Sequence, residues 1–279
     1  MKKWKLLLSL LGASLAVEAT EIAPWFGNDK EFDLNTSYVY QTYDKVDGKY
    51  GAEDMSSNDH MLNFSLGITP DSVFAGEAEL LLVKSDFRSF GVDSFAFTGR
   101  KQLMNDVVGD PFSLVTGVTM TLPTNKGSHD MSTIHHADVD TEFHVSIGKE
   151  VSSGKYWLHR SWTSMGYLLS NIGSPAFRSK TLFEKNINNI HRFKFFGEAF
   201  YGLGKKELDV TKDFRGYGSL NHQTIDVGAA YTYNLGYGRE ISAGYERRLH
   251  AHSAPARVNR FCLNYLYTFS PVVVNSSVK

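Results

Sequence analysis

The chain has 279 residues, and its 29 basic and 30 acidic side chains give a formal net charge of -1, which excludes the clustered positive surface that nucleic-acid binding requires. A lone cysteine, Cys262, excludes an internal disulfide framework. Nineteen Phe, fourteen Tyr and four Trp, beside twenty-four Gly and only seven Pro, suit a twisted sheet whose rings meet an apolar or interfacial environment.

Met1, Lys2, Lys3, Trp4 and Lys5 make a basic start, an apolar run over residues 6–17 follows, and Glu18 and Ala19 lead out of it. These three zones predict a cleavable secretory signal over residues 1–19, with Val17 and Ala19 at the third and first positions before the cut. The run is shorter than the roughly 20 residues of a spanning helix, and no later stretch reaches the length of one. Residues 20–279 therefore read as a single β domain with a short tail after Phe269.

Alternation with a period of two puts every second side chain on one face of a strand. In the first segment Phe32, Leu34, Thr36, Tyr38 and Tyr40 oppose Asp33, Asn35, Ser37, Val39 and Gln41. The second sets Leu62, Phe64, Leu66 and Ile68 against Asn63, Ser65 and Gly67. It then meets Thr69, Pro70, Asp71 and Ser72, a tight-turn signal in which Pro presets the backbone and Asp bonds locally. Beyond the turn Phe74, Ala78, Leu80 and Leu82 oppose Glu77 and Glu79, and Phe95 and Phe97 oppose Ser94, Thr98 and Arg100. Residues 105–111 read as a connection to a strand that carries Phe112, Leu114, Thr116, Val118, Met120 and Leu122 on one face. The cleanest alternation sets Val139, Thr141, Phe143, Val145 and Ile147 against Asp140, Glu142, His144 and Ser146. Ile225, Val227, Ala229, Tyr231 and Tyr233 form a later face, and Ile241, Ala243, Tyr245 and Leu249 oppose Glu240, Glu246 and Arg248. Phe261, Leu263, Tyr265, Tyr267 and Phe269 close the series. Residues 156–169 are ambiguous in phase, and residues 178–189 fit either a strand or a short helix. Counting hairpins from both ends requires one strand near residues 180–187, so the expected total is about twelve, within a range of ten to fourteen.

A water-soluble β protein alternates as well, with its apolar face inside. Segments of about ten residues, connections of alternating length and rings gathered towards segment ends favour the inverted arrangement, and closure leaves no unpaired edge in lipid. The expected fold is all-β, a closed antiparallel up-and-down transmembrane β-barrel. Asn264, Tyr265, Leu266, Tyr267, Thr268 and Phe269 end an alternating row on an aromatic ring, which resembles the terminal strand of porin-like Gram-negative outer-membrane β-barrel proteins. The sequence departs from that pattern in continuing to Lys279. The resemblance implies a place in the cell outer membrane, contact with its lipid, insertion by barrel-assembly machinery and a homo-oligomeric habit.

Parity assigns Glu77, Glu79, Arg100, Asp140, Glu142, His144, Arg192, Lys194, Glu198, Glu240, Glu246 and Arg248 to the interior, where mixed charges line a wet lumen. The first functional expectation is a passive channel for small solutes or ions. The alternative is a surface-exposed structural or adhesive protein, with residues 44–58, 123–138 and 205–220 as its loops. A third reading, a lipid hydrolase, rests on His144 and Ser146, which resemble the His-x-Ser pair of outer-membrane phospholipases. The pair points to the lumen, no Asn partner stands at a matching distance, and no catalytic residue is assigned. His129, His135 and His136, like His250 and His252, are irregularly spaced and read as solvated loop residues rather than metal ligands. No phosphate-cradling glycine motif opens a helix, and no cofactor is expected.

Overall fold

The computed structural model describes residues 22–154 and 156–271, so the signal expected over residues 1–19 and most of the tail after Phe269 lie outside the described residues. The strands are β1 (Glu31–Gly48), β2 (Gly51–Thr69), β3 (Phe74–Ser85), β4 (Arg88–Met104), β5 (Ser113–Pro123), β6 (Asp140–Ser153), β7 (Tyr156–Ser170) and β8 (Ala176–Ile187). They continue with β9 (His191–Gly202), β10 (Gln223–Gly236), β11 (Arg239–His252), β12 (Ala254–Ala256) and β13 (Asn259–Phe269). Neighbours in sequence pair antiparallel, and β1 pairs with β2 on one side and β13 on the other, which closes the sheet on itself. The three-residue β12 only extends β1 at one rim, so the wall is a twelve-stranded barrel. No described helix is long and apolar enough to cross a membrane.

Alternation decides which side is which. Leu66, Phe97, Ile147, Phe195 and Leu263 lie exposed on the outside, whereas Asn63, Ser65, Ser146, Glu198 and Asp226 are buried on the inside. An apolar belt running right round the wall far exceeds the few hundred Å² that a soluble monomer exposes, and this places it in lipid. Polar-tipped rings mark the belt's edges, as amphipathic side chains do at a membrane interface: Tyr38 Oη and His60 Nδ1 are 2.7 Å apart, and so are Tyr231 Oη and His191 Nδ1.

The rim that holds the start of β1 and the end of β13 also holds the shorter turns, which makes it the periplasmic rim of such a barrel. At the first of these turns Asp71 Oδ1 accepts from the N–H groups of Val73 and Phe74, each at 2.8 Å. At another, Asn188 and Asn189 take φ of 56° and 57°, the left-handed pair that suits a tight hairpin. The opposite, outer rim carries the long loops 124–139 and 203–222.

Two expectations need correction. Residues 44–58 are not a loop: β1 and β2 run on past the belt as a hairpin with a turn at Lys49 and Tyr50, in a register of Lys45 with Asp54 and Val46 with Glu53. Val46 and Tyr43 are buried there against Leu208 and Tyr217 of the long loop 203–222, a tertiary contact that overrides the polar local sequence. Connection lengths also do not alternate strictly, because the outer rim has two-residue turns after β1 and β3. Residues 178–189 form most of β8 and its turn, and the phase of β7 turns Trp162, Ser164, Gly166 and Leu168 inward.

Candidate functional site, the barrel lumen

All twelve residues assigned to the interior by parity do face it, and so do Asp33, Asp59, Glu150, Arg160, Arg178, Lys180, Glu184, Asp226 and Arg260. Towards the outer end of the lumen Arg248 donates from Nε and Nη2 to the two oxygens of Asp226, at 2.7 and 2.8 Å, and from Nη1 to Pro255 O at 2.9 Å. Arg260 joins Asp226 at 3.3 Å, meets Glu246, and donates to Gln41 Oε1 at 2.5 Å. Beside this group Arg178 lies 2.9 Å from Glu142 and 3.8 Å from Glu198, which also faces Lys180 at 3.9 Å. Glu184 with Lys194, and Glu240 with Arg192, make further pairs. Each charge taken out of water costs several kcal/mol, and only such mutual pairing offsets it.

Glu77, Glu79 and Arg100 lie on the opposite wall, whose inward neighbours Ala75, Ala96, Thr98, Gly117, Thr119 and Thr121 are small. Asp140 is drawn up to the outer end, where its carboxylate accepts from Ser170 Oγ and from the His136 N–H. His144 is buried among the wall residues, and neither of its ring nitrogens makes a hydrogen bond. Ser146 Oγ donates to Ile22 O at 2.7 Å rather than to any base, so His144 and Ser146 do not form a nucleophile and base pair.

Residues 22–26, ahead of β1, run up inside the barrel. Besides the Ser146 contact, Gln102 Nε2 donates to Pro24 O at 3.1 Å and Arg100 Nη1 to Ala23 O at 3.4 Å. Ala23 and Trp25 pack on the buried cluster of Trp162, Leu182 and Phe196. The room for them is made by Gly148, where a Cβ would come within 2.8 Å of Pro24, Trp25 and Trp162. The Trp25 indole N–H donates to Asp106 Oδ1 at 2.9 Å, and the Arg160 guanidinium sits between Trp25 and Trp157, 4.9 and 4.5 Å from the ring centroids. Burial alone would raise the Asp106 pKa, but bonds from Ser113, the Glu150 N–H and Trp25 outweigh it and hold the carboxyl below its ordinary range.

The outer mouth is covered by the two long loops. Tyr217 N–H donates to His135 O at 2.8 Å, Gly218 N–H to His136 O at 3.0 Å and Tyr217 Oη to Met131 O at 2.8 Å. Under this lid His136 and His222, one from each loop, meet at a tilt of 47° with ring centroids 5.0 Å apart, and both stack on Phe200. Burial lowers both pKa values, with His135 adding to it at His136, which falls to about 3, and His136 and Arg248 adding to it at His222. His135 behaves oppositely. Burial works against its charge, but the Asp93 carboxylate 2.6 Å from Nε2 outweighs burial and raises its pKa. Arg88 ties Asp93 to Asp130, 2.8 Å from Arg88 Nε. The three loop histidines thus go separate ways, His129 bonding only locally to Asn125 O and Ser128, and no group of three metal-ligating side chains converges among the described residues.

Between segment and lid remains a cavity of about 110 Å³, with Ile22 at its floor, Ser132 to His135 at its roof and Glu79, Ala96, Thr98, Thr119 and Thr121 along one side. Sequence reasoning missed the loops folded into the mouth, and nothing local signals them. Asp33, Asp226 and Arg260 were legible by parity, since each alternates with an apolar neighbour.

No family model matches the chain, and no curated protein matches it. Its fold does match solved structures. An outer-membrane channel from Pseudomonas putida F1 superposes with a TM-score of 0.64 at 12% identity, covering 90% of this chain and 100% of that one. The NanC porin superposes with a TM-score of 0.57 at 7% identity, covering 84% of this chain and 98% of that one. The fold is that of outer-membrane β-barrels, and with the lipid-facing belt it places the chain in that membrane.

Proposed function

We propose that the protein is a passive outer-membrane channel for small solutes or ions, held shut in this conformation by residues 22–26 within and by the loop lid above. One observation carries the reading: the wall turns charged and hydroxyl side chains inward around a residual cavity and apolar ones to lipid, the arrangement of a wet lumen. The neighbours' descriptions as a channel and a porin support it. An adhesive role is disfavoured because the two long loops bond to each other across the mouth instead of standing free. In this reading residues 1–19 are removed on export, barrel-assembly machinery inserts the chain, and the interior charges assigned above line the path. Single-channel recording of the refolded mature protein in planar bilayers tests it. Discrete conductance steps are expected, rare in the wild type and frequent in Trp25→Ala, and silence from both proteins shown to be folded and inserted refutes the channel.

A further inference from the structure

The barrel holds residues 22–26 largely by their main chain. None of the five belongs to a strand, and three successive carbonyls are met by side chains of the wall: Ser146 of β6 at Ile22 O, Arg100 of β4 at Ala23 O and Gln102 of β4 at Pro24 O. Every residue of any peptide carries a carbonyl, so these donors read a polypeptide backbone rather than particular side chains. Side chains are read at three points. Ala23 and Trp25 pack on Trp162, Leu182 and Phe196, and the Trp25 indole N–H reaches Asp106 while Arg160 lies over its ring. Pro24 between them brings no N–H, so it adds no donor to be satisfied inside the wall. Gly148 leaves the room that Pro24 and Trp25 fill. The groove therefore leads from the periplasmic rim, where Asp106 lies, up to Ile22 at the floor of the cavity.

We propose that this groove is a peptide-binding site entered from the periplasmic rim, with residues 22–26 as its resident occupant. Its ligand is a short uncharged peptide that presents a small residue, a proline and a tryptophan in that order. An ionised side chain in the place of Ala23 would be desolvated on Trp162, Leu182 and Phe196 without a partner, which excludes charged peptides. The tether holds the resident segment at an effective concentration in the millimolar range, so a free peptide enters only when the segment has withdrawn. Withdrawal leaves no buried charge unpaired at the three carbonyls, because each is a neutral acceptor. A bound peptide then fills the lumen as the segment does and shuts it. The binding site stands on the contacts alone, whereas its regulation of conductance rests on the channel reading.

The probe is a synthetic Ile-Ala-Pro-Trp-Phe peptide, blocked at both ends, with a dye beyond its Phe where the segment leaves the lumen. Its binding to the refolded mature protein in detergent, above that to empty micelles, is read by fluorescence anisotropy. W25A and A23D/W25A vacate the groove, the second by laying a carboxylate on the apolar cluster, and heat-modifiable mobility in SDS gels shows that each is folded. Saturable binding to A23D/W25A is expected, about tenfold or more tighter than to the wild type, whose groove is occupied. The same peptide with alanine for tryptophan should bind about thirtyfold or more weakly, and Gln102→Ala in the A23D/W25A background should weaken binding about fivefold. Folded A23D/W25A that binds no peptide, or binds both peptides alike, overturns the site. In planar bilayers, peptide on the periplasmic side should shorten the openings of A23D/W25A. Binding without any conductance refutes the channel and leaves the site, and conductance without binding overturns the site and leaves the channel. Openings that bound peptide does not shorten overturn the regulation.

Discussion

Trp25→Ala should open the barrel from the periplasmic side. The indole N–H donates to the ionised Asp106, and a hydrogen bond to a charged group contributes about 1.5–3 kcal/mol. The ring also lies over Arg160, a contact of about 0.5–2 kcal/mol. Because Asp106 keeps the Ser113 hydroxyl and the Glu150 N–H, the variant strands no charge and the loss is not inflated by an orphaned carboxylate. The sum, about 2–5 kcal/mol, moves the ratio of docked to undocked segment by roughly thirtyfold to a few thousandfold, at about 1.4 kcal/mol per factor of ten. Open probability in planar bilayers reads this directly. Trp25→Phe keeps the stack on Arg160 and the packing on Trp162 but loses the N–H, so it should fall between wild type and Trp25→Ala. Closed dwell times in Trp25→Ala equal to those of the wild type refute the latch.

Gly148→Ala should resemble Trp25→Ala, because its Cβ would meet Pro24, Trp25 and Trp162 at 2.7 to 2.8 Å; a variant that stays as closed as the wild type shows that the segment can shift without leaving. Lid closure should weaken in acid. His136 and His222 are lowered, so the stability they lend the closed lid is complete above the exposed imidazole value of about 6.5. It falls as the pH drops below that value, by about 2 kcal/mol at His136 by pH 5 and in the same sense at His222. His135, raised by Asp93, acts in the other sense and contributes fully below that value, but it is one against two. Asp140, 3.9 Å from His136, the Tyr217 ring and the Arg248 charge facing His222, and Arg178 over Phe200 also bear on these rings. Amide exchange at Tyr217 and Gly218, corrected for intrinsic chemistry, should therefore report more frequent opening at pH 5 than at pH 7. H136F/H222F should flatten the response, and equal opening at both pH values in the wild type sinks the idea. Arg248→Ala should cost about 3–5 kcal/mol, as removal of one partner from a buried pair does, seen as a lower temperature for the shift from folded to unfolded band in SDS gels. Arg248→Lys, which keeps the charge but not the fork, should lose less, and an unchanged transition in Arg248→Ala would mean that Arg260 alone suffices for Asp226.

The wall was legible in the sequence because period two is imposed by geometry wherever one face meets lipid and the other meets polar groups. Thr141, Phe143, Val145 and Ile147 against Asp140, Glu142, His144 and Ser146 needed no knowledge of partners, and every interior charge assigned by parity faces inward. The signal faded where composition blurred the two faces. On β7 and β8, Ser161, Thr163, Ser179 and Thr181 face outward and Trp162 and Leu182 inward, so residue type no longer told the sides apart, and Arg160, Arg178, Lys180 and Glu184 went unassigned. What fills the lumen was not legible at all. Nothing near Ile22 or Trp25 records that Ser146 and Asp106, more than 80 residues away, will receive them. Parity locates a face, but which distant segment comes to lie on it is decided by three-dimensional complementarity.

The manner in which the lumen is filled separates its fixed parts from its removable ones. Inside the wall, removing one member of a cluster such as Asp226, Arg248, Arg260 and Glu246 leaves a buried charge short of a partner, so the cluster is held as a unit. Residues 22–26 are held otherwise. Ser146, Gln102 and Arg100 donate to the main-chain carbonyls of Ile22, Pro24 and Ala23, neutral acceptors that a water molecule can replace at little cost. The contact of the segment with a carboxylate among the described residues is at the periplasmic rim, on an Asp106 already satisfied by other donors. Withdrawal of the segment therefore strands no charge and leaves the paired wall as it was. Within one barrel, ion pairs that cannot be parted fix the shape of the lumen, and replaceable carbonyl contacts decide whether it is occupied.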